Sequence, residues 1–315
     1  MLLTDAIDLF LLGASAAGYS QRTIETYRWG LSKLATFAGE ETVERLKPER
    51  FTAFMAHLRT VDTATGKPLS AGSLRNAYTA LRSFARWCER EDVTAEKLDR
   101  QLRKPTEPDK HIEPYTRDEI ARLLYACQWQ RLAKPSDRRA FRASRSTAVR
   151  DHALLVFMLD TGARVGEACR CNVEDLDRKL GRVWLVEHGS GRKSSGRYVY
   201  TSETTLRVLA TYLDKRKPDS EEPLFVARGR RRLTRFSVKN LLVGIGARAG
   251  VPNVHAHRFR HTFAIEYLRN GGDVFTLQAV LGHRDIKTTR RYLALVDRDV
   301  ANVHRRASPV DSWGL

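Results

Sequence analysis

The chain is 315 residues long, 42% apolar and 29% charged, ordinary values for a globular protein and enough for one large or two modest domains with hydrophobic cores. Its 55 Lys and Arg against 37 Asp and Glu leave a net charge of +18, an excess that steers a protein toward phosphate polymers and makes binding salt-dependent; acidic partners or anionic lipid are the alternatives. No apolar run approaches a spanning helix, and the opening MLLTDAIDLF carries two aspartates where a secretion signal has basic residues, so a soluble cytoplasmic protein without a membrane partner is expected.

The first hundred residues read as a bundle of four or five helices. Ser20 caps a helix that runs to Gly39, with Ile24, Tyr27, Leu31 and Leu34 at helical spacing. Pro48 sits in the opening turn of another, with Phe51, Phe54, Met55 and Leu58 inward. Ser70 or Ser73 begins a further helix carrying Leu74, Ala77, Tyr78, Leu81, Phe84 and Cys88 on one face and Arg75, Arg82, Arg86 and Arg90 on the other. That basic face is either a phosphate-backbone contact or an ordinary solvated surface.

Residues 100–114 interleave Arg103, Lys104 and Lys110 with Pro105, Pro108 and Pro114, which favours an extended connector. The expected organisation is therefore a helical domain over 1–99, a basic linker over 100–114 and a second domain over 115–315. Thr116 and Glu119 have capping-box spacing and open the next helix. Residues 130–150 hold Arg131, Lys134, Arg138, Arg139, Arg142, Arg145 and Arg150 against the one acid Asp137, without apolar period, as in a loop that tracks phosphates or a solvated insertion.

From Asp151 an apolar helix runs into Thr161-Gly162-Ala163-Arg164. RVWLVE after Gly181 and RYVYT read as two strands joined by a Gly/Ser/Lys turn, a helix starts at Ser202, and PLFVA is a short extended piece. Helices dominate from Ser237 to about His304, broken at Gly250, Gly271-Gly272 and Gly282. The fold class is mainly α with a small antiparallel β-sheet. Cys88, Cys127, Cys169 and Cys171 lack the spacing of a disulfide framework or a zinc site and read as buried thiols.

The chemistry concentrates in a few positions. Arg164 ends a buried helix, and a planar guanidinium there suits two phosphate oxygens; an ion pair with Glu167 or Asp175 is the competing explanation. His257 and Arg260 are three apart and share a helical face. His257 and His261 have the spacing of a zinc-protease pair, but Arg258 stands where such a motif needs glutamate. Because Arg260 directly precedes His261, only one of the two is expected to point into the site; Arg260 is taken, with His261 left to support or to the core. His283 follows Leu281-Gly282, and Tyr292 comes nine residues later.

Taken in order, TGARVGEA around Arg164, HRFRHTFA around His257 and Arg260, LGH at His283 and TTRRYLAL around Tyr292 resemble the tyrosine recombinase (phage integrase) family. The N-terminal helices resemble that family's core-binding domain through Ser20, Thr23, Tyr27 and the Leu/Phe pattern. The resemblance implies a helical core-binding bundle, an α+β catalytic domain and a DNA strand exchange through a 3′-phosphotyrosine, without ATP, metal or other cofactor. Arg164 and Arg260 would clamp the phosphate, Tyr292 attack it, His257 accept or buffer the tyrosine proton, and His283 bind a phosphate oxygen. The family also uses a lysine on a hairpin turn; Lys193 is the natural match, while the spacing to the next arginine points to Arg192.

Double-stranded DNA is the implied partner, with Arg75, Arg82, Arg86, Arg138, Arg139, Arg142, Arg192, Arg230, Arg231 and Arg232 as candidate contacts. The tail after Tyr292 is expected to dock on a neighbouring copy in a tetramer on two sites, or else to pack on its own chain. A type IB-like topoisomerase using the same residues, and an inactive DNA-binding protein of the same fold, are the competing functions.

Overall fold

The computed structural model describes residues 1–60, 68–106, 113–129, 144–186, 196–293, 304 and 308–313. They fall into two compact units, one within residues 1–106 and the other from residue 113 on. Among the described residues no helix is long and apolar enough to cross a membrane.

The first unit is built of α1 (Leu3–Ala16), α2 (Gln21–Ala38), α3 (Pro48–Thr60) and α4 (Ala71–Arg90). Ser20 Oγ accepts the Thr23 amide and fixes the start of α2; Ser70, not Ser73, does the same for α4 by accepting the Ser73 amide. Every inward residue expected on α2, α3 and α4 is buried, and Phe10, Phe84 and Trp87 add an aromatic cluster against α1. Gly30 lets α2 and α4 touch: a Cβ there would lie 3.0 Å from Ala80 Cβ. On the outer face of α4, Arg82 and Arg86 both reach Asp99, at 3.6 and 3.7 Å, so a carboxylate shares their charge. Arg75 lies half-buried on the same face.

The second unit begins with α5 (Arg117–Gln128), opened by the Thr116–Glu119 capping box, then α6 (Ala148–Thr161) and α7 (Val165–Arg170). α6 starts three residues earlier than the sequence suggests. The reason is Asp151, which is fully buried and held by Arg145, Arg150 and the Thr147 hydroxyl. Two arginines of the basic 130–150 stretch thus serve a buried carboxylate; Arg138, Arg139 and Arg142 lie outside the described residues.

Strands β1 (Leu176–Asp177), β2 (Arg182–Leu185) and β3 (Arg197–Tyr200) form an antiparallel sheet in the order β1-β2-β3, with Val183 opposite Val199. β1 has two residues, too few to show a pattern in sequence. The turn between β2 and β3, with Arg192 and Lys193, lies outside the described residues. After α8 (Glu203–Arg216), capped by Ser202, come α9 (Arg235–Ala249), α10 (Ala256–Arg269), α11 (Val274–Leu281) and α12 (Ile286–Leu293). A short helix spans Pro309–Trp313, and the rest of the tail except His304 and Ser308 is outside the described residues.

The core of this unit centres on Leu154, Leu155, Phe157 and Met158 of α6, against α5, α8, α9 and the sheet. All four cysteines are free and buried; burial pushes the Cys88 and Cys127 thiols up to about 12 and Cys169 to about 11. Arg230 and Arg232, expected at the DNA backbone, have protein partners here. Arg230 pairs with Glu222 at 2.8 Å, and Arg232 donates to the carbonyls of Cys169 and Arg170 and to Asn172 Oδ1. Both sit where helix ends leave carbonyls unsatisfied, which a run of arginines in sequence does not reveal. Arg231 is exposed.

Candidate active site

The site is assembled from the ends of α6, α7 and α11, one face of α10, and α12, which carries Tyr292. α6 stops at Gly162, whose φ of +61° is left-handed; a Cβ there would also lie 2.4 Å from the Phe263 ring. The chain then turns, and Arg164 stands at the start of α7, half-buried. α11 stops in the same way at Gly282, with φ +65°. α10 crosses between them, capped at its start by His255, whose Nδ1 accepts the Arg258 amide.

Arg260 is 1% exposed, a fully buried guanidinium. It donates to Gly162 O at 2.8 Å and Leu281 O at 2.7 Å, and its Nη2 lies 2.8 Å from His283 Nε2. Among the described residues no carboxylate pairs with it. Burial, and then the charge of Arg164, lower its pKa to about 10, so it remains protonated at neutral pH. A buried cation held only by neutral dipoles is poised to meet an anion.

Arg164 makes the ion pair considered from sequence, 2.9 Å from Glu167 Oε1, and also donates to Gly282 O. The pair does not consume the arginine, because Glu167 is shared. Arg197 from β3 grips both carboxylate oxygens at 2.9 Å each and donates from Nε to Val280 O. Burial opposes ionisation of Glu167, but Arg197 and then Arg164 more than offset it and hold its carboxyl below the usual range. One carboxylate thus braces two arginines and ties β3 and α11 to the start of α7.

His283 is fixed from both sides, with Nε2 on Arg260 and Nδ1 2.8 Å from Thr289 Oγ1. A guanidinium has only donors, so Nε2 must accept and the proton resides on Nδ1. Burial, with Arg260 and Arg164 nearby, lowers its pKa to about 4, in keeping with a neutral ring.

Tyr292 is buried on α12, against Ile265, Leu268 and Leu277, and burial raises its phenol above the ordinary value. Its hydroxyl lies 2.9 Å from His261 Nδ1. Here the sequence expectation needs correction. Arg260 and His261 both reach the site, because they are three and four residues beyond His257 and so flank it on one face of α10. Adjacent positions diverge by about 100°, which is still narrow enough for both to border one cavity. His257 is exposed, and its ring packs edge-on against His261 with centroids 4.2 Å apart.

Arg164, His257, Arg260, His283 and Tyr292 therefore converge, as their order and spacing suggest. Sequence reasoning missed Arg197, Thr289 and the pair behind the site, Arg258 and Glu119. Arg258 points away from the site, donates to both Glu119 oxygens and to the carbonyls of Glu113, Pro114 and Pro252, and stacks on Tyr115. Thr289 had a signal, since it lies one helical turn before Tyr292. Arg197 and Arg258 had none, because their partners are 30 and 139 residues away. No group of three or more His, Cys, Asp or Glu among the described residues could hold a metal ion.

Comparison with known proteins gives this geometry its context. Tyrosine recombinase XerD of Oceanobacillus iheyensis is 26% identical over 303 residues, covering 93% of this chain and 94% of the relative. The fold matches the Tn1549 transposon integrase solved in complex with transposon right end DNA, with TM-score 0.75 at 17% identity, covering 96% of this chain and 99% of that one. It also matches a lambda integrase dimer bound to a COC′ core site, with TM-score 0.71 at 15% identity, covering 93% of this chain and 95% of that one. Residues 7–95 match the N-terminal SAM-like domain of phage integrases, and residues 117–298 match the phage integrase family itself. That second match spans more than half of the sequence and every site residue described above, and the chain belongs to the phage integrase, or tyrosine recombinase, family.

Proposed function

We propose that this chain is a site-specific DNA recombinase that cleaves and rejoins DNA strands through a 3′-phosphotyrosine on Tyr292, without ATP. The observation that carries the reading is the pairing of Arg260, buried with no carboxylate partner among the described residues, with the Tyr292 hydroxyl in one site. A phosphodiester resists attack because its oxygens repel nucleophiles and its leaving alkoxide is basic. Arg164 and Arg260 would bind the non-bridging oxygens and hold the charge that grows in the transition state. Tyr292 Oη attacks phosphorus, and the covalent link preserves the bond energy until a 5′-hydroxyl attacks in turn.

His283, held by Thr289, accepts from Arg260 through Nε2 in the free site; to donate a hydrogen bond to a phosphate oxygen, that nitrogen would exchange the contact for a proton as the phosphate binds. His257 opens toward solvent at the edge of the same face and buffers proton transfer. Lys193 on the β2–β3 turn is the proposed proton donor to the 5′ oxygen, with Arg192 the other candidate. Cleavage by Lys193→Ala rescued by a 5′-thiol leaving group would assign the role to Lys193; rescue in Arg192→Ala instead would move it.

Double-stranded DNA is the proposed substrate, consistent with the net charge of +18 and with the DNA-bound relatives of this fold. The helical unit over 1–99 and the catalytic region from 115, joined by the basic 100–114 segment, would clamp the duplex. Arg75, Arg82, Arg86, Arg138, Arg139, Arg142 and Arg231 are proposed to position it, and the tail after Tyr292 to link copies into a tetramer on two sites. Incubation with a nicked suicide duplex tests the central claim. The wild-type protein forms a covalent adduct and Tyr292→Phe forms none; an adduct in the variant would show that the nucleophile lies elsewhere.

A further inference from the structure

The role of His261 goes beyond what its place in the sequence suggests. Tyr292 is 3% exposed, and among the described residues its hydroxyl has one hydrogen-bond partner, His261 Nδ1 at 2.9 Å. A buried hydroxyl with a single partner must use it. With the His261 proton on Nε2, the phenol O–H donates to Nδ1, the orientation in which an imidazole takes a proton. His257 does not share that oxygen; it touches His261 ring to ring.

Position favours a working contact over a resting one. Burial is the largest influence on the Tyr292 phenol and raises its pKa, while the charges of Arg260, Arg291 and Arg164 act in the opposite direction. The hydroxyl therefore already lies in the field of both arginines that would hold the phosphate.

We propose that His261 is the general base of the cleavage step, accepting the Tyr292 phenolic proton on Nδ1. As Oη bonds to phosphorus, the bond from phosphorus to the 5′ oxygen breaks, and that oxygen leaves with a proton from the turn residue. On rejoining, the incoming 5′-hydroxyl returns its proton to the turn residue and His261 returns its own to Oη. The inference rests on Tyr292 being the nucleophile.

Several groups bear on His261: Tyr292 and Arg291 from α12, and His255, His257 and Arg260 from its own helix and cap. Burial and these neighbours hold the free imidazole near 4, which keeps it neutral and able to accept at physiological pH. A bound phosphate offsets the surrounding cations and brings the base closer to its working pH.

The test is single-turnover cleavage of a nicked suicide duplex by the full chain. His261→Asn keeps a polar group near the position of Nδ1 but has no basic nitrogen. It is expected to bind the duplex as wild type does, to form the adduct about 10²–10⁴-fold more slowly, and to lose the acid limb of the rate profile. Added imidazole is expected to restore cleavage in His261→Ala.

Wild-type rates in His261→Asn would overturn the assignment, and so would an unchanged acid limb. Faster cleavage would overturn it too, by showing that the hydrogen bond restrains the tyrosine. If the Asn variant does not fold, absence of imidazole rescue in a folded, DNA-binding His261→Ala overturns it. If neither folds, a wild-type profile with no acid limb does. Tyr292→Phe runs alongside: an adduct in that variant rejects the nucleophile itself, a failure distinct from that of His261.

Discussion

Helix α10 carries two buried arginines two positions apart, and they lead opposite lives. Arg258, 5% exposed, meets a carboxylate with both oxygens, three carbonyls and an aromatic face 4.1 Å away. Arg260, 1% exposed, meets two carbonyls and a neutral imidazole. The first is a closed account of charge, a joint between α10 and the start of α5. The second leaves a full positive charge unanswered in the protein interior, and that asymmetry distinguishes a structural arginine from one that awaits a ligand.

The sharpest way to break this contrast is at the reactive arginines. Arg164→Lys and Arg260→Lys keep a point charge but lose the planar fork, and each is expected to lower single-turnover cleavage by at least about 10²–10³-fold while retaining most DNA binding. Comparable cleavage in either variant would sink the two-oxygen clamp. Arg258→Met, on the opposite face, strands the Glu119 carboxylate and is expected to cost about 3–5 kcal/mol of stability in urea unfolding. Its cleavage per folded molecule should stay near wild type; a selective loss of cleavage would erase the distinction between the two faces.

Proton uptake should also separate the faces. His261 and His283 have folded pKa values of about 4, below the ordinary histidine value. Between pH 4 and about 6.5 the unfolded chain therefore binds protons that the folded protein does not. Their contribution to stability is complete above about pH 6.5 and lost as pH falls toward 4. Thermal melts without DNA should show this slope, and His283→Gln should flatten it; an unchanged slope would count against a half-buried ring that stays neutral in the folded protein. The smallest effect belongs to the joint itself: Thr116→Ala, which removes half of the capping box at α5, is expected to cost about 1 kcal/mol.

Much of the molecule was legible in its sequence because helices advertise themselves through period and caps. Ser20, Thr116 and Ser202 begin helices as their chemistry requires, and the inward residues of α2, α3 and α4 follow the helical repeat. The five site residues were legible as an ordered set, each unremarkable alone. What was hidden depends on tertiary partners. Nothing in sequence shows that Arg82 and Arg86 face Asp99, that Arg145 and Arg150 hold Asp151, that Arg230 meets Glu222 or that Arg232 closes a helix end. Adjacency to Arg260 conceals the place of His261, because the helical face is wide enough for both neighbours and only the fold brings Tyr292 to its Nδ1.

The glycine ends of α6 and α11 carry a last consequence. Gly162 O and Leu281 O hold Arg260, and Gly282 O holds Arg164, so both guanidiniums rest against the C-terminal poles of helices. Such a pole presents about half a negative charge, spread over carbonyls that are already in place. Half a charge steadies a cation without cancelling it, whereas a full carboxylate at Arg260 would repel the phosphate it is meant to receive. The left-handed glycines, by ending each helix where they do, set the electrical strength of the site.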